Sequence, residues 1–108
     1  MNKNELLEDY AKFSFQTLRG AAKENFHKDE VKKRISTDVA YIVGAHAFRS
    51  GITIDEIQKW LQTAYGSIWA RETGLNPQLD LKEVFNCCKK AYLLAKKRSE
   101  NAINIDNK

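Results

Sequence analysis

Proline is nearly absent from this chain, with one in 108 residues, and glycine occurs only five times. A fold of many strands needs turn residues at each reversal, and so few of them speak against an all-β architecture. Cysteine occurs twice, as the neighbours Cys87 and Cys88. Adjacent helix positions project about 100° apart, so a bond between the two would be strained. With no other cysteine to pair with, both are expected to be reduced, as in a cytosolic protein. No apolar stretch approaches the roughly 18–20 residues needed to cross a bilayer. The opening MNKNELLEDY is charged within its first residues and lacks the apolar run of a signal peptide. These absences predict a cytoplasmic protein with no membrane span.

The means of catalysis are equally sparse. The histidines are His27, in a connection, and His46, which follows Asp38 by too many residues for a direct pair. His46 reads as a core or boundary histidine with a satisfied hydrogen bond. No Cys/His spacing matches a zinc site, no Glu-x-x-His pair of the di-iron kind occurs, and no Gly-rich phosphate loop is present. Cys88 falls on an apolar stripe and reads as small core filler, although Lys89 and Lys90 beside the pair would favour a thiolate. The expectation is a protein that is no enzyme and uses no cofactor or metal.

Charge is present but mild. The chain carries a formal net charge of +4 and a pI of about 9.1. Only five of its 18 basic residues are arginine, the better reader of phosphates and base edges. This balance permits an acidic partner without requiring one.

What the chain does have is helical periodicity. Hydrophobic residues at 43% and aromatics at 10% suffice for one packed core, so residues 1–108 read as a single all-α domain. The segment TIDEIQKWLQTAYGSIWARET, residues 53–73, is the centre of this reading. Thr53 and Glu56 form a capping box, and Ile54, Ile57, Leu61, Ala64 and Ile68 step by three and four along one face. Gly66 invites close packing or a slight kink, and Gly74 closes the segment. Before it, Asn2 and Asn4 are both candidate caps for a helix over 5–25, Asn2 with Glu5 having the offset of a capping box, and Gly20 weakens the helix late. In that helix Leu7, Ala11, Leu18 and Ala22 form one stripe and Leu6, Tyr10, Phe13 and Thr17 its neighbour, with Phe15 near the edge. Asp29 and Glu30 open a second helix over 29–49, which Gly51 ends as a left-handed residue. After the loop around Pro77, Asp80 and Glu83 restart the chain as a fourth helix over 81–100. Residues 101–108 read as a frayed tail. Short connections between such helices predict a compact four-helix antiparallel bundle.

Two residue sets remain as functional candidates. On the fourth helix Lys82, Lys89 and Lys96 share one heptad row, Lys90 and Lys97 the adjacent row, and Arg98 lies further round. This basic face can serve as a solvated surface or as an anion-attracting stripe for nucleic acid or an acidic protein. The second set is aromatic. Tyr10, Tyr41, Trp60, Tyr65 and Trp69 are more large rings than a small bundle needs inside, and partly exposed Tyr and Trp are favoured interface anchors.

The segment Glu56-Ile57, Leu61 and Ser67-Ile68-Trp69-Ala70-Arg71 resembles the helix-turn-helix units of bacterial regulators and resolvases. Aligned that way, Thr53–Leu61 is the supporting helix, Gln62–Gly66 the turn and Ser67–Gly74 the reading helix. Gln62 stands where the turn usually has glycine, and Gln58 near the usual small residue. The resemblance implies DNA binding through Ser67–Gly74.

The expected function is therefore protein–protein binding by a non-catalytic helical protein: a regulator, inhibitor or immunity-type factor with a protein partner, and in one form a homodimer. The alternative is a nucleic-acid-binding regulator using the basic face of the fourth helix or a degenerate helix-turn-helix at 53–74.

Overall fold

The computed structural model describes residues 2–62 and 81–106, with side chains described for residues 2–62 and 82–101. Its order is α1 (Lys3–Ala22), a 3₁₀ segment (Lys23–His27), α2 (Asp29–Arg49), α3 (Ile54–Trp60) and α4 (Leu81–Asp106). These helices pack as an all-α bundle, and the described residues include no strand.

Helix α1 starts where its cap places it. The Asn2 side chain accepts from the Glu5 amide at 2.8 Å and donates to the Glu5 carboxylate at 3.0 Å. The helix begins two residues earlier than the expected 5–25 and stops sooner, at Ala22. Lys23 ends it at φ 53°, a conformation that favours glycine, and the chain then tightens into the 3₁₀ segment. Phe26 pins this corner, with the Arg19 guanidinium 4.7 Å and the Lys32 ammonium 5.9 Å from its ring centroid.

The buried face of α1 runs along Leu7, Ala11 and Phe15, each four residues from the next. Phe15 is thus central to the core, not at its edge. The row through Leu6 and Tyr10 is only half-buried, and Phe13 beyond it is 72% exposed.

Helix α2 forms over the expected residues and ends in a full Schellman motif. Gly51 sits at φ +73°, its amide donates to the Phe48 carbonyl at 3.2 Å, and the Ile52 amide donates to the Ala47 carbonyl at 2.9 Å. Ile52 and Ala47 are both fully buried, which supplies the apolar contact that accompanies this motif.

Two adjacent rows of α2 are buried: Ile35, Val39, Val43 and Ala47, and the small residues Ser36, Ala40 and Gly44. The second row brings α4 close. A Cβ on Gly44 would stand 2.1 Å from the Cys88 carbonyl oxygen, so the backbones meet where only glycine fits. One turn further along both helices, Phe48 meets Tyr92 edge-on at 5.4 Å, so α2 and α4 run in the same sense. Against α1 the direction is opposite, since Tyr10 near the start of α1 reaches Ser50 just past the end of α2. Helix α2 is therefore the centre of the bundle, with α1 and α4 on either side.

The capping box of α3 is complete. Glu56 N–H donates to Thr53 Oγ1 at 3.2 Å, and Thr53 N–H donates to Glu56 Oε1 at 3.0 Å. Ile57, Trp60 and Leu61 bury there, and a π-type turn follows at Leu61–Gln62. Whether the segment continues unbroken through Gln62–Gly66, as its periodicity suggests, lies outside the described residues. Lys3 ties the start of α1 to this cap through a 3.1 Å ion pair with Glu56. Helix α4 continues past the expected end at Glu100 as far as Asp106.

Candidate functional site: a cationic groove between α2 and α4

Helices that meet at a glycine diverge on either side of it, and the space beside the Gly44–Cys88 contact is filled only in part. A groove of about 520 Å³ lies there. One wall is the α2 row Tyr41, Ala45 and Arg49, with Phe48 beside it; the other is α4 from Lys90 through Leu94 and Ala95 to Arg98 and Ser99. Both walls follow from a repeat of four, which stacks side chains on one helix face.

The floor is apolar. Tyr41 is 37% exposed and Leu94 48% exposed, both large side chains left open to solvent, while Phe48 is held by its contact with Tyr92. The rim is cationic. Arg49, Lys90 and Arg98 line the groove and no carboxylate does. None of the three enters an ion pair among the described residues.

The expected basic face of α4 is divided by this geometry. Lys90 and Arg98 enter the groove, whereas Lys82, Lys89, Lys96 and Lys97 are exposed but do not line it. At about 100° per residue, Lys89 projects a quarter-turn away from Lys90 and shares its row with Lys82 and Lys96. Lys82, Lys89 and Lys96 lie along the outer flank of α4, while Lys97 stays on the row of Lys90, beyond the groove.

The aromatic set is divided too. Tyr41 takes its place in the groove. Trp60 is 1% exposed and among the largest fully buried side chains, a core residue on the inward face of α3 with Ile57. Tyr10 is half-buried on the other side of α2, stacked on His46 at 5.1 Å and hydrogen-bonded to Ser50 at 2.6 Å. Tyr65 and Trp69 lie outside the described residues, as does the reading helix of the helix-turn-helix alignment. Its supporting segment is helical over Ile54–Trp60.

Arg49, Phe48 and Leu94 are groove residues that sequence reasoning did not single out. Leu94 had a usable signal, because Leu93 and Leu94 interrupt the lysines of α4 and belong to none of its buried positions.

A second groove, of about 370 Å³, lies between α1 and α2, with Phe13, Leu18 and Ile42 on its apolar walls and Asp9 and His46 at its edges. Elsewhere, burial and then the neighbouring Cys87 push the Cys88 thiol from 9.0 up to about 12, so it stays protonated and inert. Both cysteines are free. Hydrogen bonding from the Thr53 backbone, and then from Lys3, holds the Glu56 carboxyl below its ordinary value. Among the described residues no three His, Cys, Asp or Glu side chains converge as a metal site would need. No helix among the described residues is long and apolar enough to cross a membrane. Comparison with protein-family models, curated proteins and solved structures finds no match to this chain.

Proposed function

We propose that this chain is a non-catalytic helical protein that works by binding another protein, and that the α2/α4 groove is where it does so. The observation that carries this reading is the groove itself: two exposed apolar side chains, Tyr41 and Leu94, set among three cations that have no ionic partner among the described residues. Tyrosine and arginine around an apolar centre are the residues that dominate protein interfaces. A regulator, inhibitor or immunity-type factor fits a chain whose polar chemistry lies on such a surface. The two free thiols support a cytoplasmic setting.

The test is capture from the native host by the whole chain, compared with the double variant Tyr41→Ser, Leu94→Ser and carried out with and without nuclease. A protein retained by the unaltered chain, lost with the variant and indifferent to nuclease supports the reading. Equal retention by both chains overturns the groove as the site.

The exposed lysines Lys82, Lys89, Lys96 and Lys97 favour a second reading, a nucleic-acid-binding regulator. It expects an affinity for labelled DNA or RNA that falls with salt by a log–log slope of about 0.9 per phosphate contact. Replacement of Lys89, Lys96 and Lys97 by glutamate should then abolish it, and absence of binding at low salt removes this reading.

A further inference from the structure

Resting on the protein-binding reading, the geometry points to one class of occupant. We propose that the α2/α4 groove takes an acidic amphipathic helix of a partner protein, seated by an apolar side chain over Leu94 with carboxylates about one turn to either side. The groove is walled by two helices, and the described residues offer no sheet edge to which an extended peptide could add. An apolar channel between helices is the surface that receives an amphipathic helix.

Register comes from α4. Lys90, Leu94 and Arg98 are four residues apart, so each cation stands about 6 Å along the axis from the leucine. An incoming helix has the same rise, and its residues four before and four after an apolar anchor fall at the same intervals. Acidic residues at those two positions face Lys90 and Arg98, while Arg49 on the α2 wall holds the helix from the other side. The occupant's pattern is Asp or Glu, three residues, a large apolar anchor, three residues, Asp or Glu.

Charge complementarity decides the sign of the partner. The groove has three cations and no carboxylate, and a partner bringing lysines there would meet unbalanced repulsion. The apolar floor between two helix walls favours a helix that presents a large apolar side chain, and a planar lipid surface does not enter a concave channel.

The experiment is selection from a displayed library of helical peptides, randomised at an anchor position and at the positions four before and four after it. The whole chain is the bait and its Leu94→Ser variant the counter-bait. Leu94 is half exposed, so the variant keeps the fold, which circular dichroism verifies. The expected result is a large apolar anchor with Asp or Glu enriched at both flanks. A selected peptide should then lose about tenfold or more in affinity for the Lys90→Glu, Arg98→Glu chain and regain it when its acids become lysines. The pair Lys90→Gln, Arg98→Gln serves the same comparison with less perturbation of the helix. Peptides that depend on Leu94 but show no acidic enrichment overturn this inference and leave protein binding at the groove intact. Peptides that ignore the Leu94 substitution, together with equal capture by the Tyr41→Ser, Leu94→Ser chain, overturn both.

Discussion

The two grooves that flank α2 each set a tyrosine beside apolar walls and treat their polar side chains in opposite ways. On the α1 side, the tyrosine and histidine at the mouth are tied to the chain itself: Tyr10 stacks on His46 and bonds to Ser50. On the α4 side, Tyr41, Arg49, Lys90 and Arg98 have no hydrogen-bonded or ionic partner among the described residues. Side chains committed within the chain stabilise the bundle. Those without a partner among the described residues contribute little to its stability. Stability measurements and binding measurements should therefore separate the two sides of α2.

The largest effect on stability is expected at the seam that shapes the α4 side. Gly44→Ala forces a methyl group into the Cys88 backbone and should cost about 3 kcal/mol, at the upper end of overpacking penalties. Urea unfolding measures it, and a cost below about 1 kcal/mol would mean that the seam opens easily.

Alkaline pH attacks the same seam. The folded state holds the Cys88 thiol at about 12 against 9.0 when unfolded, and the favoured form is the neutral one. Its contribution is complete below pH 9.0 and is lost as pH rises toward 12. Unfolding across that range should show declining stability in the parent and a flatter profile in Cys88→Ala. In native protein iodoacetamide should modify half-exposed Cys87 and spare Cys88.

On the α1 side, Tyr10→Phe removes the bond to Ser50 and should cost about 1 kcal/mol of stability without changing partner affinity. The smallest stability change belongs to the α4 groove. Leu94→Ser should stay within about 0.5 kcal/mol of the parent, as exposed positions do, while abolishing partner binding. A large stability loss there would erase the distinction between the two sides.

Much of this architecture was legible in the chain. Helix α2 carried an unbroken apolar spacing, two acidic residues at its start and a glycine where a left-handed residue was needed. Thr53 and Glu56 declared the start of α3, and the helical spacing over 81–100 declared the presence of α4. Local rules govern such features, so local sequence reveals them.

The remainder depends on which helix lies beside which. Gly44 looks like an unremarkable interior glycine until α4 is laid against it, and the row Ser36, Ala40 and Gly44 acquires meaning only as a contact surface. A ring count could not say that Trp60 turns inward while Tyr41 stays open, or that Phe15 is central while Phe13 is exposed. The basic face of α4 was visible as charge, but its division between a groove edge and an outer flank required the neighbouring helix. Arg49 and Leu94, far apart in sequence, become one site only through packing. The continuation of α4 to Asp106 ran against a polar ending that offered few apolar cues.

The most direct measurement compares photocrosslinking from the two grooves in the native host. A benzophenone amino acid replaces Leu94 in one chain and Phe13 in another, both exposed positions beside α2. A discrete protein adduct from position 94, unchanged by nuclease and absent from position 13, is the predicted result. Adducts of equal yield from both positions, or an adduct from position 13 alone, would contradict the assignment of the α2/α4 groove as the binding site.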